Sequence, residues 1–124
     1  MNTNVLVIGS GISGLTYAIK IAEQNPKLEI VIISKNSLLE SNTRYAQGGI
    51  AVVSNFQKDS FEKHVEDTLI AGAGECDKEV VEFVVKEGQD RLQELIDWGT
   101  HFDKQKNGLH LTQEGGHSEK RIVH

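Results

Sequence analysis

The fold is decided by the stretch NVLVIGSGISG, which occupies residues 4–14. Its first half, Asn4–Ile8, is mostly β-branched and aliphatic, which is typical of a parallel strand covered on both faces. A glycine-rich turn follows, and apolar residues then recur at helical spacing over residues 12–24. A second buried strand is predicted over residues 28–34. Together these elements predict a βαβ unit and hence an α/β domain.

The glycine turn has the spacing GxGxxG, with Gly9, Gly11 and Gly14 between a predicted strand and a predicted helix. The first glycine permits a tight turn, the second lets the backbone approach a pyrophosphate, and the third lets the helix pack closely on the strand. Amides at the helix start then face the anion, aided by roughly half a positive charge from the helix dipole. In this context the turn predicts a Rossmann-like dinucleotide site.

The residues that distinguish dinucleotides lie at the end of the second strand. Nicotinamide-binding domains have an Asp or Glu there to hold the ribose hydroxyls, whereas this chain has Ser34 and Lys35. Both side chains can hydrogen-bond to ribose, and Lys35 can also pair with a 2′-phosphate. The position therefore permits FAD with NADP as a competitor, and a solvated loop lysine is an equally good interpretation of Lys35.

Two helices are predicted in the rest of the chain. Asp59-Ser60 can cap the first, and the longest helix is predicted to begin after Asp77 and to run to about Trp98. A strand is predicted over residues 49–54, and Asn107-Gly108 predicts a two-residue hairpin turn.

Two long segments show no clear period. Residues 35–49 predict a loop with one helical turn, and loops of this length inside compact domains are usually functional. Residues 112–124 are polar and contain glycine, and no element is predicted there.

Composition narrows the classes of function. The chain has 124 residues, 38% of them hydrophobic, and a net charge of -5 with scattered Lys and Arg, which argues against nucleic acid as a partner. No apolar run approaches the roughly 20 residues needed to cross a membrane. The histidines lack metal-ligand spacing, so no metal is expected. Only three residues precede the first predicted strand, which begins at Asn4, so no secretory signal is expected there and a cytoplasmic location is favoured.

Further motifs resemble one known group of proteins. Residues 42–50 (NTRYAQGGI), 64–68 (HVEDT), 71–74 (AGAG) and 112–118 (TQEGGHS) are similar to the flavoprotein family of succinate dehydrogenase, fumarate reductase and L-aspartate oxidase. The resemblance implies a Rossmann-like FAD-binding domain of which residues 1–124 are the amino-terminal part. It also implies that the capping domain, the carboxy-terminal helical domain and the catalytic arginine lie outside these residues, so the fragment alone is expected to be inactive.

The resemblance implies two groups of FAD contacts. The adenosine-diphosphate end would meet the glycine turn and the end of the second strand, and the flavin side would meet the loop with the glycine pair. The first group is Gly9, Ser10, Gly11, Ile12, Ser13, Gly14, Ser34 and Lys35; the second is Asn42, Thr43, Arg44, Tyr45, Ala46, Gln47, Gly48 and Gly49. For Arg44 and Tyr45, an exposed loop pair is the alternative interpretation.

Two positions separate the branches of the family. Asn42 stands where the dicarboxylate enzymes carry a histidine bonded covalently to the flavin, so non-covalent FAD is implied. Glu114 stands where those enzymes carry an aromatic residue, and a carboxylate there can pair with the ammonium of a substrate. An exposed loop acid is the alternative for Glu114, and His117, a lone histidine, can equally be structural.

The branch implied is oxidation of L-aspartate to iminoaspartate, with oxygen or fumarate as the acceptor. This reaction would begin NAD biosynthesis through quinolinate, with quinolinate synthase as the functional partner. Two alternatives stay open: a fumarate reductase or succinate dehydrogenase flavoprotein, and a non-catalytic dinucleotide-binding module.

Overall fold

The structure is a computed structural model that describes residues 2–46, 48–106 and 108–124. It divides into two compact units, Met1–Gln47 and Gly48–His124. The first unit contains β1 (Val5–Ile8), α1 (Ile12–Gln24), β2 (Ile30–Ile33) and the short helix α2 (Asn42–Tyr45). The second contains β3 (Ile50–Ala51), α3 (Phe61–Ala71), α4 (Lys78–Asp97), β4 (Lys104–Gln105), β5 (Gly108–Leu109) and β6 (Ile122–Val123).

The first unit is the predicted βαβ arrangement. β1 and β2 pair in parallel, from Val5 opposite Ile30 to Ile8 opposite Ile33. The helix α1 has the predicted bounds and begins directly after the glycine turn. It ends because Asn25 leaves the helical conformation and the following proline cannot continue it. The α/β fold class is therefore confirmed.

The burial predicted for the strands is only partly found. Val7 is 7% exposed, but Leu6 is 51% and Ile8 is 80% exposed. Successive side chains of a strand point to opposite faces, and α1 packs on the face that carries Val7. The prediction that β1 is covered on both faces is therefore wrong for the described residues, because α1 covers one face only.

In the second unit, two capped helices pack against each other. The Ser60 side chain accepts a hydrogen bond from Lys63 N–H, and the Asp77 side chain accepts from the N–H groups of Glu79 and Val80. Both caps satisfy amides that have no intrahelical acceptor. The predicted starts of α3 and α4 are therefore confirmed, and the α4 end at Asp97 lies one residue from the predicted one.

The β3 and β6 strands pair antiparallel, with Ile50 opposite Val123 and Ala51 opposite Ile122. The strand predicted over residues 49–54 is thus shorter than expected. β6 lies in the polar segment for which no element was expected, because two apolar residues are too few to show a period. Val123 of β6 forms a core with Val52 and Leu92, and Ile96, Phe102, Leu109 and Leu111 pack around it.

A hairpin is present near the predicted turn, but Gly108, the second residue of that predicted turn, is the first residue of β5. β4 and β5 pair with Lys104 opposite Leu109 and Gln105 opposite Gly108. Asn107, the first residue of the predicted turn, lies outside the described residues. Throughout the part of the chain that the structure describes, no helix has the length and apolar character needed to span a bilayer.

Candidate functional site

The first unit contains a crevice of about 520 Å³ beyond the carboxyl ends of β1 and β2. Ligands of open α/β sheets bind at this edge. Its lining residues are glycines and residues with polar side chains, and they come from the glycine turn, the end of β2 and the loop that leads into α2. The lining residues are Gly9, Ser10, Gly11, Ser34, Lys35, Asn36, Glu40, Ser41, Asn42, Thr43 and Tyr45. Eight of the residues predicted to contact FAD are therefore brought together here.

Two of the three turn glycines are required by the backbone. Gly9 has a φ of +105°, a conformation that other residues rarely adopt. A Cβ on Gly14 would lie 2.5 Å from the carbonyl oxygen of Gly9 and 3.2 Å from Val7 Cγ1. Gly14 therefore lets α1 pack on β1, which is the role predicted for the third glycine.

Gly11 is different, because its surroundings leave room for a side chain. The nearest atom to a Cβ built there is Thr43 Oγ1, at an ordinary contact distance of 3.8 Å. Its φ of -73° is also accessible to any residue. Packing within the unit therefore does not require this glycine, and the predicted approach of a pyrophosphate to its backbone stays a prediction.

The start of α1 is arranged to receive an anion. Its N-cap is Gly11, which has no side chain to cap the helix, and the first turn contains no acidic residue. The first α-helical hydrogen bond runs from Leu15 N–H to Gly11 O at 3.0 Å, so the amides of Ser13 and Gly14 precede it. Ile12 N–H donates to Thr43 Oγ1 at 3.0 Å, which fixes that threonine beside the helix start.

The far wall of the crevice contains an acid that the sequence did not single out. The Tyr45 hydroxyl lies 2.7 Å from Glu40 Oε2, and this hydrogen bond raises the pKa of Tyr45. Ser34 Oγ donates to the carbonyl oxygen of Asn36. Glu40 lies in an aperiodic loop, and only the path of that loop brings its carboxylate into the crevice.

The remaining predicted flavin contacts fall on both units. Arg44 and Ala46 flank the crevice-lining residues in the first unit, and Gln47 lies outside the described residues. Gly48, with a φ of +129°, and Gly49 belong to the second unit. A Cβ on Gly49 would lie 2.5 Å from the carbonyl oxygen of Val123, so packing against β6 already requires this glycine.

A buried ion cluster lies in the second unit. The Arg121 side chain is fully buried and donates from Nε to Asp59 Oδ2 at 2.9 Å and from Nη2 to Asp59 Oδ1 at 2.7 Å. Its Nη1 donates to Asp67 Oδ2. Burial opposes charge on all three groups, but their mutual hydrogen bonds lower the pKa of Asp59 and raise that of Arg121. The sequence does not reveal this role of Arg121, since nothing in its neighbourhood distinguishes it from a surface arginine.

Asp67 links this cluster to the segment that carries Glu114. Its Oδ2 accepts from Ser118 N–H and from Ser118 Oγ–H, both at 2.8 Å. Burial alone would raise the pKa of Asp67, but the hydrogen bonds from Ser118 and Arg121 outweigh it and hold the pKa at about 2. The carboxylate is therefore ionised at neutral pH.

Two histidines flank the cluster. The rings of His64 and His117 are 5.7 Å apart, and His117 Nδ1 lies 3.2 Å from Arg121 Nη1. Burial and the nearby guanidinium lower the pKa of His64, whose Nδ1 has no hydrogen-bond partner among the described residues. His117 is thus part of a structural network. In the described ranges, no three His, Cys, Asp or Glu residues are grouped as a metal site would need.

Glu114 lies on an exposed turn of the second unit. Its carbonyl oxygen accepts from His117 N–H at 3.2 Å, and its side chain is 50% exposed. Glu114 Oε1 is 3.4 Å from His124 Nε2, which is an ion pair only when that histidine is protonated. The carboxylate is therefore accessible, as a group that meets a substrate must be.

Comparison with known proteins gives a consistent result. A family model described as FAD binding domain matches residues 4–124. An L-aspartate oxidase of Yersinia pestis is 50% identical over 98% of this chain and 23% of its own length. A chloroplastic L-aspartate oxidase of Arabidopsis thaliana is 50% identical over 95% of this chain and 18% of its own.

The structural comparison agrees with the sequence comparison. A quinol fumarate reductase of E. coli superposes with a TM-score of 0.88 at 31% identity, covering 99% of this chain and 21% of that one. The chain thus spans about a fifth of the length of the proteins that it matches.

Proposed function

Since the chain belongs to the FAD binding domain family, we propose that it is part of an L-aspartate oxidase, which converts L-aspartate to iminoaspartate. The observation that carries the proposal is the identity of 44–50% to proteins named L-aspartate oxidase across nearly all of this chain. The solved fumarate reductase is less similar, at 31%.

FAD is the cofactor of this family, and the first unit fits its diphosphate. Gly11 leaves space beside the start of α1, and no acid in the first turn repels a phosphate. We assign the diphosphate to the amides at the start of α1 and the adenosine ribose to the side of the crevice with Ser34, Lys35 and Glu40. Glu40 offers the carboxylate that the end of β2 lacks.

The flavin side is assigned to residues 42–49. Asn42 and Thr43 line the crevice, and Thr43 is already oriented by the amide of Ile12. An asparagine amide cannot form the covalent link that a histidine makes, which supports non-covalent FAD. When bound, FAD supplies the two-electron chemistry, while the chain supplies position and charge.

The proposed role of Glu114 is to pair with the substrate ammonium. Aspartate differs from succinate by this one cation, and a carboxylate beside it offsets the loss of its hydration. The half-exposed Glu114 side chain is available for this contact. Oxygen or fumarate as the acceptor, quinolinate synthase as the partner and a cytoplasmic location remain predictions.

Anaerobic reduction of the full-length protein tests the proposal directly. L-Aspartate added without oxygen should bleach the yellow flavin absorbance, because electrons from the substrate reduce FAD. Bleaching by succinate but not by L-aspartate would instead identify a dicarboxylate dehydrogenase, for which the superposition on fumarate reductase is the supporting observation. Retention of the flavin in an acid-precipitated pellet would likewise favour that alternative.

Replacement of one carboxylate tests the role of Glu114. Glu114→Gln keeps the size of the side chain and removes its charge, so the KM for L-aspartate should rise about tenfold, while fumarate reduction changes little. Glu119→Gln, which changes a partly exposed acid five residues further along the chain, is the matched control. Equal losses in both half-reactions would count against an ammonium contact.

A further inference from the structure

The structure assigns a positioning role to Asp67: through Ser118 it fixes the turn that carries Glu114, and so sets the place of the carboxylate that meets the substrate. This inference rests on the role proposed for Glu114. Its basis is a continuous chain of hydrogen bonds from the buried interior to that exposed turn. We call residues 113–118 the Glu114 turn.

The Glu114 turn is closed upon itself. At its base, Thr112 N–H donates to the carbonyl oxygen of Ile122 at 2.9 Å, and Arg121 N–H donates to that of Thr112 at 3.1 Å. Within the turn, Gln113 Nε2 donates to the carbonyl oxygen of His117 at 2.7 Å, and His117 N–H donates back to that of Glu114. The backbone of the turn therefore moves as one piece.

Asp67 is the point at which this piece is attached to α3. Its Oδ2 accepts both the N–H and the hydroxyl of Ser118 at 2.8 Å. Asp67 is itself held by Arg121, which is fully buried and held in turn by Asp59. Because Arg121 is fixed by its hydrogen bonds to both aspartates, Asp67 has little freedom to shift, and neither does Ser118.

A second tie to α3 lies at the surface and provides a comparison. Lys63 Nζ is 2.7 Å from Glu119 Oε1, but the two side chains are 48% and 30% exposed. Exposed pairs of this kind contribute little to order. The geometry of Glu114 should therefore depend on the buried link through Asp67 and not on the exposed one, although both join the same two segments.

Positioning of this kind matters because a charge pair is sensitive to small displacements. Binding groups have to be held within roughly half an ångström of their working geometry by the groups behind them. Loss of the Ser118 hydroxyl removes one of the two hydrogen bonds to Asp67, so the turn stays closed and joined to α3 by the Ser118 N–H but is held less tightly. The expected result is weaker L-aspartate binding without loss of the fold.

The test is a double-mutant cycle on the full-length protein loaded with FAD, combining Ser118→Ala with Glu114→Gln. Ser118 is exposed, so Ser118→Ala should fold normally. It should raise the KM for L-aspartate by roughly tenfold when Glu114 is present and by less than about twofold in Glu114→Gln. Ser118→Thr should restore the KM, and Glu119→Gln should leave it unchanged.

The possible outcomes distinguish the positioning role of Asp67 from the contact of Glu114 with the substrate. If Glu114→Gln raises the KM and Ser118→Ala multiplies it by the same factor in both backgrounds, the positioning role is overturned and the Glu114 contact survives. If Glu114→Gln leaves the KM unchanged, the Glu114 contact fails and the positioning role fails with it. Should Ser118→Ala lower the thermal midpoint markedly, Ser118→Cys, which keeps the size of the side chain and weakens its donor, provides the second cycle under the same criteria.

Discussion

The two units use different kinds of atoms to build their central features. In the first, the crevice depends on backbone geometry within one βαβ stretch, where Gly9 and Gly14 set the turn and Gly11, the N-cap of α1, lines the crevice. In the second, the centre is made of side chains, and Arg121 reaches partners 62 and 54 residues away in sequence. A local backbone site is readable from spacing, whereas a distant side-chain cluster is not.

The largest expected effect comes from removing the centre of the second unit. Arg121→Ala leaves Asp59 and Asp67 buried without their guanidinium, which should lower the free energy of unfolding by about 3–5 kcal/mol. Chemical denaturation of the full-length protein measures this. Arg91→Ala, which removes exposed ion pairs on α4, should change it by less than about 0.5 kcal/mol. Similar changes in the free energy of unfolding for both variants would contradict a larger contribution of the buried ion cluster.

The first unit should be most sensitive at Gly14. Gly14→Ala places a methyl group 2.5 Å from the carbonyl oxygen of Gly9, so α1 has to move away from β1. Both stability and FAD affinity should fall, the affinity by roughly 100-fold.

Gly11→Ala is the matched variant, since its methyl group meets only Thr43 Oγ1 at 3.8 Å. It should leave the stability of the FAD-free protein within about 0.5 kcal/mol of wild type, yet weaken FAD binding as measured by fluorescence titration. Loss of stability in Gly11→Ala would show that this glycine serves packing and not the ligand.

Acid should affect the second unit through Asp67. Its pKa is about 2 in the folded chain, below the usual value near 4 in the unfolded chain, so it stabilises the fold fully above pH 4. As the pH falls from about 4 to about 2, roughly 2 kcal/mol of that stability is lost. The free energy of unfolding, measured across this pH range, should change less with pH in Asp67→Asn than in the wild type. The same slope in both proteins would contradict the depressed pKa.

The smallest effect is expected at a helix start. Asp77→Ala removes the acceptor for the N–H groups of Glu79 and Val80 and should lower the free energy of unfolding by about 1 kcal/mol. α1 has no side-chain cap to lose, so alanine at its N-cap, Gly11, should not show this loss. Thermal denaturation distinguishes the two helices.

The elements that could be predicted are those with a local cause. Ser60 and Asp77 mark the starts of α3 and α4, because a capping side chain lies next in sequence to the amides with which it bonds. The glycine turn could also be predicted from neighbouring residues, because its three glycines lie within six residues of one another. The bounds of α1 follow from the turn at one end and from Asn25-Pro26 at the other.

The features that could not be predicted depend on distant parts of the chain. β6 is a strand because Ile50 and Ala51 lie beside it, and Arg121 is buried because Asp59 and Asp67 meet it there. Glu40 enters the crevice only through the course of its loop. For β6 and Arg121, the deciding partners lie more than 50 residues away in sequence, so no local pattern carries that information.

The pairing of β3 with β6 has a consequence for the order in which the molecule folds. β1 pairs with a strand that begins 25 residues later, from Val5 to Ile30, whereas Ile50 of β3 pairs with Val123, which lies 73 residues later. Closing the longer loop is entropically more demanding and therefore slower. On a ribosome, the βαβ stretch can assemble while Asp59 and Asp67 still face water. Their partner Arg121 is made later, so the interior of the second unit closes after the βαβ stretch.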